Sequence, residues 1–188
     1  MGRPSAIPVL PESPQILSAR AGWEHDGSRR PPFARYPRPG QVSVWDFPRP
    51  PVMVACTQRL RVRSGNWLIA ETKRGIRVLE TAGAPTYYFP PDDVDADAVT
   101  FGEMTSVCEW KGVAQALDVA GIRGAGWRYV RMFRAFIDLY QWPSFHPGRL
   151  ECYVDDERAS PQAGDYYGGW VTADLAGPIK GGLGSESW

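Results

Sequence analysis

The sequence is poor in cysteine and histidine, carries no surplus charge and has no long apolar run, and each shortage closes off a class of function. Its 3 cysteines, Cys56, Cys108 and Cys152, stand far apart with no Cys-x-x-Cys pair, which excludes a disulfide framework and a zinc site built on paired thiols. A reducing compartment, the cytoplasm, is the expected setting. The 2 histidines, His25 and His146, have no useful spacing to a serine or acid. Gly-x-Ser-x-Gly, His-Glu-x-x-His and Gly-x-x-x-x-Gly-Lys-Ser/Thr are all missing. Lys plus Arg number 21 and Asp plus Glu 21, so no basic field draws in nucleic acid, and no nucleic-acid partner is expected. Pro4, Pro8, Pro11 and Pro14 interrupt the opening segment before a secretory apolar run of about 7 to 15 residues can form. Nothing later reaches membrane-spanning length, so the expectation is a soluble chain with no membrane partner.

What is abundant is proline, glycine and aromatic side chains. Of 18 prolines, 11 fall in residues 1–51, where they remove amide donors and fix the backbone away from helix. Residues 1–43 therefore read as a proline-rich extended arm. A single domain is expected over 44–160, a length that suits one core. Residues 161–188 form a glycine-rich tail that packs on the domain through Tyr166, Tyr167 and Trp170.

Within the domain, Arg59 to Arg63 alternates with period two and predicts a half-buried strand with Leu60 and Val62 inward. Gly65-Asn66 reverses it into Trp67 to Glu71. The strand Ile76 to Glu80 sends Ile76, Val78 and Glu80 to one face. Thr86 to Phe89 follows, ended by Pro90-Pro91. Further strands are expected over 104–110 and 113–119, a loop over Gly121, Gly124 and Gly126, and an amphipathic helix on Phe133, Phe136, Ile137 and Tyr140. A closing hairpin is expected to join Phe145-His146 to Leu150 through Val154 around Pro147-Gly148.

Four features could carry chemistry. The run from Asp92 to Asp97 has oxygen ligands at alternate positions, but counted from Asp93 the sixth position of a calcium loop is Ala98 and the twelfth Met104. Capping and a solvated turn fit better. Cys108 and Trp110 share a face if residues 106–110 are extended; the thiol needs a nearby cation to become a nucleophile, and Lys111 is the closest in sequence. Lys111 itself fits an anion contact. Glu80 is a carboxylate on an apolar face. It must either meet a cation or hydroxyl, or hold its proton more tightly as an acid or base does. Tyr87 and Tyr88 alternate, so only one of them shares a pocket with Glu80.

Several blocks together resemble one family. Val44-Trp45-Asp46-Phe47-Pro48-Arg49-Pro50-Pro51, Val78-Leu79-Glu80-Thr81, Pro85-Thr86-Tyr87-Tyr88-Phe89-Pro90-Pro91, Cys108-Glu109-Trp110-Lys111-Gly112, Trp127-Arg128-Tyr129 and Tyr167-Gly168-Gly169-Trp170 are similar to the domain of unknown function 427 family over residues 44–182. The resemblance implies a mainly β fold with one short helix, its antiparallel sheets curved into a β-tent (Mss-four-like) architecture without the zinc site of related folds. It implies that Glu80, Tyr88, Cys108, Trp110, Lys111 and Trp127 line the concave side. It also brings a nucleotidyltransferase-like label, although no Gly-Ser followed by paired acids on a strand is present. Where relatives often carry a ring two residues after the alanine that follows Lys-Gly, this chain has Ala116.

The expected function is a small-molecule pocket on the concave sheet face, with Glu80, Cys108 and Lys111 as the reactive set and Tyr88, Trp110 and Trp127 as ligand contacts. No metal or cofactor is expected. The alternatives are a non-catalytic interaction module that uses the arm or tail, and a nucleotidyltransferase acting on a nucleoside triphosphate.

Overall fold

The strand alternations described above stack two antiparallel sheets face to face. The computed structural model describes residues 7–164 and 166–188; the start of the arm, Pro4 included, lies outside them. In chain order the elements are α1 (Pro14–Ala21), β1 (Val42–Ser43), β2 (Val52–Cys56), β3 (Leu60–Ser64), β4 (Trp67–Thr72), β5 (Gly75–Leu79) and β6 (Thr86–Tyr88). They continue with β7 (Val99–Cys108), β8 (Gly112–Val119), β9 (Ile122–Met132), β10 (Pro143–Phe145), β11 (Glu151–Val154), β12 (Glu157–Arg158), β13 (Ser160–Pro161), β14 (Trp170–Val171) and β15 (Leu175–Ala176). A 7-stranded sheet runs β2-β5-β6-β10-β9-β8-β7 and a 4-stranded one β12-β11-β3-β4. The chain is mainly β, and no helix among the described residues is long and apolar enough to cross a membrane.

The main core lies between these sheets. Leu60, Val62 and Ile69 from the smaller sheet, all fully buried, meet Tyr87, Phe89, Leu117 and Phe145. Burying one such side chain is worth about 1.5 to 3 kcal/mol. Trp170 of the tail is also fully buried here, its indole N–H donating to the Phe145 carbonyl at 2.9 Å. On the opposite face of the larger sheet a second cluster gathers Val78, Tyr88, Ala114, Tyr129 and Met132 with Trp110, Phe136 and Leu139. Tyr87 and Tyr88 thus part company across the sheet, as their alternation requires.

Four elements differ from the sequence reading. The glycines at 121, 124 and 126 do not form a loop: only Ala120 and Gly121, both with positive φ, make the turn, and β9 starts at Ile122. Gly126 is small because β10 passes close by; a Cβ there would stand 2.6 Å from the Ser144 carbonyl oxygen. Glycine inside a strand marks such an approach as readily as a loop. Residues 134–139 form 3-10 turns broken at Phe136 rather than an amphipathic α-helix. Phe133, Phe136 and Leu139 recur every third residue, which suits the tighter period. The hairpin expected around Pro147-Gly148 does not close on itself, for β10 inserts between β6 and β9 while β11 pairs with β3. The eight-residue helix α1 lies in the arm, where Ser13 caps the Ile16 amide and Pro14 takes the first turn, a pairing that favours helix starts.

Candidate functional site

On the face of the larger sheet turned away from the main core, strand alternation brings Val78 from β5, Thr86 and Tyr88 from β6 and Ala114 and Ala116 from β8 to one hollow. Ala114 stands opposite Tyr129 and Ala116 opposite Trp127 in the β8–β9 register. Two methyl groups facing two large rings leave space that a ring at 116 would fill. The cavity has a volume of about 580 Å³, within the range of about 300 to 1,000 Å³ typical of small-molecule pockets.

One end of the cavity is charged. Glu80, just past the end of β5, meets Arg49 Nη2 at 3.3 Å and Lys180 Nζ at 3.4 Å through one carboxylate oxygen, and Lys111 Nζ at 4.0 Å through the other. The three cationic side chains are at most 9 % exposed, and Glu80 is 18 % exposed. Burial pushes the Glu80 carboxyl upward, but Lys111, Lys180 and Arg49 outweigh it and hold the group below its ordinary value. Glu80 is therefore an ionised acceptor, the first of the two situations expected for it. For Lys180, burial and the neighbouring cations prevail over Glu80 and lower its value. For Lys111, burial disfavours the ammonium, yet Cys108, Tyr88 and Glu80 more than offset this and its value is raised. The Arg49 Nη groups are occupied, donating to the main-chain oxygens of His25, Thr81 and Trp188 at 2.6, 3.0 and 3.2 Å, while its buried Nε has no partner.

The other end is aromatic. Trp127 lies against His146, ring centres 4.6 Å apart, and edge-on to Tyr88 at 6.2 Å. Burial depresses His146 to about 4, with Arg149 adding to the effect, so its imidazole is neutral near pH 7. Tyr88 is fully buried, and burial raises its phenol; its hydroxyl has no partner in hydrogen-bonding geometry. The tail supplies the roof. Gly168 sits so near Trp127 that a Cβ would fall 2.1 Å from the indole, and Gly169 is similarly pressed against Gln162 and Ala84. Trp23 of the arm closes the charged end, donating to Glu109 at 2.8 Å and lying 4.4 Å from both Arg49 and Lys180.

Of the residues singled out from the sequence, Glu80, Tyr88, Cys108, Lys111 and Trp127 all line this cavity, and Trp110 does not. β7 ends at Cys108, and Glu109 and Trp110 form the turn. The alternation that would have kept Trp110 beside Cys108 stops there. Its indole is instead buried under Arg20, 5.1 Å away, and borders a separate cavity of about 420 Å³ with Phe136. The acidic run caps and braces turns: Asp93 accepts from Thr72 and Arg74, and Asp95 from Trp67 and the Asp97 amide. Among the described residues no group of three or more His, Cys, Asp or Glu side chains is placed to hold a metal. Cys56 and Cys152 are buried, and burial raises both thiols.

Sequence reasoning missed Trp23, His146, Tyr167 and Lys180, which all line the cavity. A lysine set in an otherwise aromatic and glycine-rich tail was the available signal for Lys180. Its main chain is tied to the domain, the amide donating to the Ala82 carbonyl at 2.8 Å.

No curated protein matches the chain. A family model labelled NTP_transf_9 and described as a domain of unknown function, DUF427, matches residues 52–156, more than half of the chain and most of both large sheets. The protein belongs to that DUF427 family.

Proposed function

We propose that the concave face binds a small organic anion, with Lys111 as the anion contact, Tyr88 and Trp127 as walls, and Glu80 as the counter-charge that orders the lysines. One observation carries this reading. The buried Lys111 ammonium borders the cavity, and the carboxylate oxygen it faces is 4.0 Å away, beyond hydrogen-bond length. Its neighbours offset the burial of the charge without engaging all three of the ammonium's donors, and an anion in the cavity supplies a further acceptor. Arg49 and Lys180, already on Glu80, keep that carboxylate from moving toward Lys111.

The nucleotidyl-transfer reading suggested by the family label needs carboxylates able to clamp divalent ions on a triphosphate. Glu80 is committed to three cations and Glu109 to Trp23, which favours simple anion binding. Thermal-shift screening of the whole protein with small carboxylates, phosphates and nucleotides tests both. A ligand at 100 times its Kd stabilises by about 2.7 kcal/mol, and the shift should vanish in Lys111→Met. A set of anions that leaves melting untouched removes the proposal, and magnesium-dependent consumption of a nucleoside triphosphate would install the alternative.

A further inference from the structure

Three features of the cavity narrow the chemistry of that anion. The first is the donor set. Lys111 and Tyr88 both line the cavity, each lies near enough to influence the other's ionisation, and the Tyr88 hydroxyl is buried without a partner. One ammonium and one hydroxyl suit the two oxygens of a carboxylate, whereas a phosphate monoester presents three. An arginine fork would take either oxyanion bidentately, but Arg49 is not among the cavity-lining residues and its Nη groups are engaged by main-chain oxygens, so the lysine and the hydroxyl are the donors that remain.

The second is charge. Lys111 and Lys180 stand with Glu80 and Glu109 in the lining, so the charged side chains there are balanced before a ligand enters. A carboxylate adds a single negative charge to that balance, while a phosphate monoester adds about 1.5 to 2. The third is shape. The Trp127 and His146 rings also line the cavity, with Tyr88 between Trp127 and the charged cluster in sequence of contact and Ala116 leaving space beside them. His146 is neutral there, so this end offers flat apolar faces and no second ion.

Resting on the anion-binding reading above, we infer that the ligand is an aromatic carboxylic acid, its carboxylate between Lys111 and Tyr88 and its ring against Trp127 and His146. Titration calorimetry on the full chain with 2-naphthoate, 2-naphthamide, 2-naphthyl phosphate and cyclohexanecarboxylate tests it. The naphthoate should bind, and the amide about tenfold or more weaker, since a hydrogen bond to a charged group is lost. Cyclohexanecarboxylate should bind about two- to tenfold more weakly for want of ring contacts. Tyr88→Phe keeps the buried ring and should weaken naphthoate about tenfold and the amide, whose oxygen is a neutral acceptor, by less. Tighter binding of the naphthyl phosphate would overturn the carboxylate assignment and leave the anion site standing. Equal binding of the saturated acid would overturn the aromatic one. Failure of both naphthoate and naphthyl phosphate to bind would remove the anion site itself.

Discussion

Replacing Glu80 by glutamine removes one charge and almost no volume, and it should be among the most damaging single changes in the protein. Three cations lie 3.3, 3.4 and 4.0 Å from the carboxylate, and at an effective dielectric of about 20 each such contact is worth about 4 to 5 kcal/mol before desolvation is subtracted. Removing one member of a buried ion pair typically costs about 3 to 5 kcal/mol, because the partner charge stays buried. Here three partners stay behind, so about 3 kcal/mol is a lower expectation. For a chain of this size that lowers the melting temperature by about 6 to 12 °C. Thermal melts of Glu80→Gln and the native protein at pH 7 measure it. The pH dependence is a second signature. The folded carboxyl lies below its ordinary value of 4.5, so the stabilisation is complete above that pH and is lost as pH falls through the folded value. The gap between the two proteins should narrow on acidification below about pH 4.5. Equal melting at pH 7, or a gap that widens in acid, would refute the idea that an ionised Glu80 holds the lysines in place.

Three other outcomes follow from the geometry. His146, depressed to about 4 from 6.5 in the unfolded chain, should show no imidazole protonation by NMR between pH 5.5 and 8. Its contribution, at most about 3 kcal/mol, should be present above pH 6.5 and drain away as pH falls toward 4. Gly168→Ala places a methyl carbon 2.1 Å from Trp127, so the roof must lift; a loss of about 1 to 3 kcal/mol and faster proteolysis near residue 168 are expected. Of the 3 thiols, Cys56 and Cys152 are buried and Cys108 is partly exposed, so a thiol reagent should label Cys108 alone until denaturant is added. Rapid labelling of Cys152 in the native protein would contradict the packing of the main core.

How much of this was legible beforehand depended on sequence separation. The β3–β4 hairpin is encoded by Gly65-Asn66 and the alternation on each side, so it could be read directly. The opposition of Tyr87 and Tyr88 needed only the period of a strand. By contrast, β10 between β6 and β9, and β11 beside β3, join segments tens of residues apart, and nothing local to Phe145 or Cys152 specifies those partners. The site divides the same way. Glu80, Tyr88, Cys108, Lys111 and Trp127 come from the sheet strands and the residues just past their ends, so strand alternation alone could group them on the face that lines the cavity. Trp23 and Lys180 come from the arm and tail, 100 residues separating Lys180 from Glu80, and their roles exist only once the chain has folded around them.

Trp170 is wedged into the main core while its neighbours Gly168 and Gly169 hang over the hollow. The ceiling is thus riveted at one end to the most rigid part of the molecule, with its floor made of strands that need not change when it does. Substitutions at Tyr166 and Tyr167 can reshape the hollow below while leaving the tightly packed Gly168 and Gly169 and the masonry untouched, so stability and the form of the hollow can drift at different rates along one polypeptide.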